Sequence, residues 1–149
     1  AMMREIMAYA WQEAGVTSNT GDEPGPDEIA AFLDGYPSPK PEMAASLRGT
    51  VRGVLNDIQE SLDAPSRIVA YGYGAGYRDT ICTLIPSKAA VKLGIARSAS
   101  LFDPEGLLSG TGKVHRVIAF AHPSDLDQNR PGKEALLEQA LVVWKDHQS

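Results

Sequence analysis

Apolar residues recur with helical spacing at both ends of the chain and with strand-like spacing through its middle. Met3, Ile6, Met7, Ala10, Trp11 and Ala14 fall on one stripe of a 3.6-residue repeat, so an amphipathic helix is predicted over residues 3–14, ending near Gly15. The run from Thr17 to Pro26 reads as a linker by composition. A short helix is predicted from about Asp27 to Gly35, burying Ile29, Phe32 and Leu33, with acidic residues suited to the positive end of its dipole. After the proline-rich break at Tyr36–Lys40, Pro41 opens a longer helix with an apolar face of Met43, Leu47, Val51, Val54, Leu55 and Ile58. That helix is expected to run on to the Leu62–Ser66 stretch. Gly49 and Gly53, four apart within it, suggest close packing of helix on sheet.

The middle changes period. Thr80–Ile85 is β-branched and apolar on both parities, and so is Val114–Ala121. Between them, residues 90–96 alternate, with Val91, Leu93 and Ile95 on one side and Lys92 and Gly94 on the other. Asp103–Leu108 reads as one helical turn capped by Asp103, with Pro104 pre-setting the backbone. A last helix over 132–145 buries Leu136, Leu137, Ala140, Leu141 and Trp144. Helices, then antiparallel strands, then a helix make an α+β domain, its sheet packed against helices. The division is residues 1–25, an amino-terminal helix and linker, and residues 26–146, the α+β domain. Strands apolar on both parities call for cover on both sheet faces. The helices at 41–60 and 132–145 can supply one cover, and the 3–14 stripe the other, within the chain or across a homodimer.

The most informative segment is Tyr71-Gly72-Tyr73-Gly74-Ala75-Gly76-Tyr77. In an extended backbone the three tyrosines share one face and the three glycines leave the other bare. Alternate glycines weaken a strand, so a close approach by a backbone or a ligand is expected in compensation. The alternative is a glycine-rich connector with tyrosines on the domain rim.

Charge separates along the chain. The net charge is −5, but residues 1–66 carry 4 basic and 11 acidic side chains, and residues 67–116 carry 7 basic and 3 acidic. Overall acidity argues against a nucleic-acid partner, while the basic middle leaves room for a local anion site. At 149 residues one domain is expected. No apolar run reaches the roughly 18–20 residues of a membrane span, so no membrane partner is expected. No basic stretch leads into an apolar one at the amino end, so no secretory leader is expected. Cys82 is the only cysteine, which excludes an internal disulfide and fits a cytoplasmic location. Lying in an apolar strand, it reads as an inert buried thiol.

The candidate ligand site joins the tyrosine face of Tyr71, Tyr73 and Tyr77 to the basic group Lys92, Lys113, His115 and Arg116. Aromatic faces would pack an organic ligand and the cations would fix its anionic group. A small anionic molecule is the expected partner, with the protein a monomer or a homodimer. For an enzyme, His115 is the candidate acid or base.

Two runs carry a family resemblance. Tyr71–Gly74, Tyr77–Thr80 and Ile85–Lys88 form the first; Asp103–Leu108, Gly110 and Gly112–Arg116 form the second. Together they resemble the bacterial YdhG-like domains, over about residues 26–146. That resemblance implies a frataxin-like fold and, for one branch of the family, an iron chaperone. Iron as cargo would be held by surface carboxylates, here Asp27, Glu28 and Asp34, with Asp22, Glu23, and Asp57, Glu60 and Asp63 of the longer helix as further candidates. Asp27, Glu28 and Asp34 lack i, i+4 spacing, and a solvated acidic face is the plainer reading. A non-enzymatic binding protein without a resident cofactor is the leading expectation.

Overall fold

In the computed structural model, the structure describes residues 27–74 and 77–148. The helix expected at 3–14 and the linker after it lie outside the described residues. Asp27 starts α1 (Glu28–Leu33) as an N-cap, its Oδ1 accepting from the Ala30 N–H at 2.9 Å. α1 buries Ile29 and Leu33, and Phe32 meets the Tyr36 ring edge-on. α2 (Lys40–Val54) carries Pro41 in its first turn and buries Met43, Ala44, Leu47 and Val51.

α2 stops earlier than its apolar spacing predicts. Leu55 is its C-cap, Asp57 takes a left-handed φ of 62°, and Gln59–Asp63 forms strand β1. Leu55, Ile58 and Leu62 happen to continue the helical stripe, but Glu60 and Leu62 follow the period of two that points them at the core. What decides the conformation is the partner. β2 (Ile68–Gly72) is buried along its whole length and pairs antiparallel with β1, from Gln59 opposite Gly72 to Asp63 opposite Ile68. Asp57, Glu60 and Asp63 therefore belong to a turn and a strand, not to a helix.

β3 (Thr80–Pro86), β4 (Val91–Ile95) and β5 (Arg116–Phe120) follow, and the sheet is a meander in the order β1-β2-β3-β4-β5, antiparallel throughout. The Asp103–Leu108 segment is a turn and not a helical turn. The Gly106 N–H reaches the Asp103 carbonyl at 3.2 Å with Gly106 at φ 65°, and the Asp103 carboxylate accepts from the Leu107 and Leu108 N–H groups at 2.8 and 2.9 Å. α3 (Arg130–Asp146) closes the domain, burying Leu136, Leu137 and Ala140. The fold is α+β, with three helices among the described residues and a five-stranded sheet.

All three helices enter one core. Ile29 and Leu33 of α1, Met43, Leu47 and Val51 of α2, and Leu136, Leu137 and Ala140 of α3 pack with Val69, Leu84, Val91, Leu93, Ile95, Ile118 and Phe120 of the strands. Ile68 and Ala70 point the other way and form a separate buried cluster with the partly buried Ile85. No helix among the described residues is long and apolar enough to cross a membrane.

Thr80, at the start of β3, is fully buried, and its hydroxyl has no hydrogen-bond partner among the described residues. Thr80→Val should therefore raise stability by about 1 kcal/mol, because it removes a desolvated hydroxyl and keeps the side-chain shape. Urea denaturation checks this, and a loss of stability would mean that the hydroxyl is satisfied in solution.

Candidate functional site

Cross-strand register builds a polar centre beneath the helices. Glu60 of β1 lies opposite Tyr71 of β2, and the Tyr71 hydroxyl donates to Glu60 Oε2 at 2.8 Å. Arg48, on α2, grips the same carboxylate with two bonds, Nε to Oε2 at 2.9 Å and Nη2 to Oε1 at 3.1 Å. Arg48 also reaches Asp27 at 3.0 Å, tying the cap of α1 to the edge of the sheet. The Arg48 and Glu60 side chains are only 13% and 12% exposed, which makes this a largely desolvated ion pair. Its electrostatics are those of a brace. The Glu60 hydrogen bond holds the Arg48 guanidinium firmly protonated, and burial, followed by the Glu60 charge, pushes the Tyr71 hydroxyl well up. The Arg48 hydrogen bond and then the Ala30 N–H hold the Asp27 carboxyl below its ordinary value.

Tyr73 continues the same face. Its hydroxyl donates to the Asn56 carbonyl at 2.8 Å, and its ring lies 5.2 Å from that of Trp144 on α3. The Trp144 indole N–H donates to Asp79 Oδ1 at 3.1 Å. Gly74 explains part of the glycine spacing, since a Cβ there would collide with the Asp79 carboxylate. The close approach expected of a glycine-rich run is thus made by a side chain of the same protein. Tyr77 opens a single 3-10 turn, Tyr77–Asp79, so the extended run that aligns Tyr71 and Tyr73 ends before it.

Beside this centre, at the carboxyl end of α2, Gly49, Arg52, Gly53, Asp57 and Ile58 line a concavity of about 470 Å³. A Cβ added at Gly49 or Gly53 meets nothing within 4 Å, so neither glycine serves the helix-on-sheet packing expected of it. Both point away from the core, two residues and so about 200° around the helix from Leu47 and Val51. Arg52 keeps 60% of its side chain exposed, with Glu60 at 3.7 Å as its ion-pair partner. The notch therefore combines bare helix backbone, an accessible guanidinium, a carboxylate and one apolar side chain.

The basic residues singled out from the sequence lie elsewhere. In register, Tyr71 faces Cys82, Cys82 faces Ile95, and Ile95 faces Arg116. Three strand spacings, about 14 Å, separate the tyrosine from the arginine, and the buried Cys82 and Ile95 fill the gap. Arg116 Nε donates to the Gly112 carbonyl at 3.0 Å, and His115 Nδ1 accepts from the Arg97 N–H at 3.0 Å. Lys113 is exposed on the preceding loop. Lys92 is exposed on β4, between Ile85 and Ala119, on the face that Tyr71 does not share. The structure thus brings Tyr71 and Tyr73 together and keeps His115 next to Arg116, but it does not join the two groups. Burial pushes the Cys82 thiol far up and leaves it unreactive.

Of the carboxylates, Asp27 is held by Arg48, while Asp34 caps the opposite end of α1 and Glu28 is exposed. Among the described residues, no group of three or more His, Cys, Asp or Glu is placed to hold a metal ion. No family model matches the chain, and neither does any curated protein or solved structure.

Proposed function

We propose that the protein binds a small anionic molecule in the notch at the end of α2, with Arg52 fixing the anion and Ile58 packing against its organic part. The carrying observation is the pair Gly49 and Gly53, which expose helix backbone to a concavity instead of to a neighbouring element. A glycine inside a helix costs up to about 1 kcal/mol against alanine. Among the described residues nothing packed against these two offsets that cost, whereas a ligand approaching the backbone would. The guanidinium of Arg52 offers a planar pair of donors matched to a carboxylate or phosphate. Asp57 across the notch favours a ligand that also carries a hydrogen-bond donor.

Membership of the YdhG-like domains belongs to the same proposal and rests on the two motif runs. Their polar residues hold turns here, Asp103 over Leu107 and Leu108, and Ser87 against Ala90. A cytoplasmic location is proposed on the single buried thiol. No arrangement of the described carboxylates favours iron as cargo.

Thermal unfolding tests the reading. Inorganic phosphate and a set of dicarboxylates, titrated into the full chain, should raise the midpoint for at least one ligand with saturation. Arg52→Ala should remove the rise. Gly53→Val should fill the notch and remove it too, while Gly53→Ala should raise the ligand-free stability by up to about 1 kcal/mol. Equal shifts in the parent and in Arg52→Ala would exclude the notch.

A further inference from the structure

The notch at the end of α2 presents two opposite charges that leave each other unpaired. Arg52 and Asp57 both line it, and both are exposed. They form no ion pair with one another, and Asp57 pairs with no cation among the described residues. Arg52 meets Glu60 only at 3.7 Å, and that carboxylate is already taken by two bonds from Arg48 and one from Tyr71. The backbone adds a second negative element. The last carbonyls of a helix have no partner within it and carry the negative end of its dipole. The Leu55 N–H closes on the Val51 carbonyl at 2.8 Å, and the next N–H to turn back is that of Ile58, which reaches Leu55 at 3.2 Å. The carbonyls of Arg52, Gly53 and Val54 therefore accept from no backbone N–H among the described residues. Gly53 lines the notch and has no side chain to screen them.

We infer that the anionic group fixed by Arg52 is the carboxylate of a free α-amino acid, whose ammonium sits on Asp57 and the last carbonyls of α2. This identity rests on the notch being the ligand site proposed for the protein, and it names the chemical class of the ligand there. A phosphate or a dicarboxylate satisfies Arg52 alone and is repelled by Asp57 and by the helix end. An amino acid carries both charges on one carbon, so it answers the two unpaired groups together. Asp57 is held ready for the second of them. The Tyr73 hydroxyl fixes the Asn56 carbonyl at 2.8 Å, and the turn so anchored carries Asp57 at its φ of 62°. Ile58, the apolar side chain of the lining, suits an aliphatic side chain on the ligand.

Calorimetric titration of the full chain with L-leucine and two analogues tests the identity. Isocaproate keeps the carboxylate and lacks the ammonium, whereas L-leucinamide keeps the ammonium and lacks the carboxylate. L-Leucine should bind with saturation, and each analogue should bind at least about tenfold more weakly, the scale of one charge-assisted hydrogen bond. Asp57→Asn should weaken L-leucine by a similar factor and leave isocaproate no weaker. Asparagine tolerates the positive φ at this position, so the turn survives the change. Arg52→Ala should weaken L-leucine and isocaproate alike, and a cooperative unfolding transition in each variant reports an intact fold. Isocaproate or phosphate binding as tightly as L-leucine, with Arg52→Ala removing both, would overturn the amino acid and keep an anion site in the notch. L-Leucine binding that Asp57→Asn leaves unchanged would overturn it as well. No saturable binding of any of these probes, or binding indifferent to Arg52→Ala, would bring down the notch itself.

Discussion

Glu60→Ala is expected to lower stability by about 3–5 kcal/mol, the range for removing one partner of a buried ion pair. The carboxylate is the hub of the polar centre, accepting two bonds from Arg48 and one from Tyr71. Without it, a guanidinium that is 13% exposed keeps, among the described residues, only the half-exposed Asp27 as an ion-pair partner. The Tyr71 hydroxyl, on a residue with no exposed surface, loses its acceptor outright. The comparison that isolates the cause is the triple change Arg48→Met, Glu60→Leu, Tyr71→Phe. Apolar replacement of the whole set removes the orphaned groups together, and it should be far less damaging than Glu60→Ala alone. Urea denaturation of both proteins decides it. If the triple variant is the weaker of the two, the network contributes net stability through its bonds and the desolvation argument fails.

Trp144→Ala is the second large effect, expected at about 3 kcal/mol, the low end of the range for losing a large aromatic because the ring is partly exposed. The indole ties the carboxyl end of α3 to two other places. Its face packs on Tyr73, and its N–H holds Asp79, whose carboxylate in turn occupies the space over Gly74. Trp144→Phe keeps an aromatic face and loses the donor, so it should cost only about 1 kcal/mol. Equal losses in the two variants would show that the hydrogen bond dominates and that the ring contact contributes little.

The residues show why some of this was legible from sequence. β3 and β4 are bounded by Pro86 and written in β-branched and alternating residues, and α3 has a periodic apolar face long enough to outweigh local ambiguity. β1 was hidden because Leu55, Ile58 and Leu62 fit a helical spacing by coincidence, and its strand character is imposed by pairing with β2. Glu60 illustrates the same limit. Nothing in Gln59–Asp63 announces a buried carboxylate, since its burial depends on Arg48 from a helix and Tyr71 from the next strand. Tyr71 and Tyr73 do share a face, as their spacing requires, but the face is an interior one. Arg116 of β5, with Lys113 and His115 just before it, joins them on charge alone, and strand order, which sets three spacings between Tyr71 and Arg116, is a property of the whole sheet. The notch left one readable trace. Gly49 and Gly53 sit on the side of α2 opposite Leu47 and Val51, so the helical repeat itself assigns them to the outside.

The order of the strands also bears on how the chain reaches its native state. Every strand pairs with its neighbour in sequence, so the sheet can be assembled hairpin by hairpin, with short loop closures everywhere except the long connection 96–115 between β4 and β5, a topology associated with fast folding for a β-rich domain. The helices do not share this advantage. α2 precedes the sheet and α3 follows it, and the bond from Arg130 Nη1 to Thr50 Oγ1 at 3.1 Å closes a separation of 80 residues. That contact is expected to form after the rate-limiting step. Removing it should then speed unfolding and leave the folding rate nearly unchanged, so that the seam between the two helices governs how long the folded protein persists.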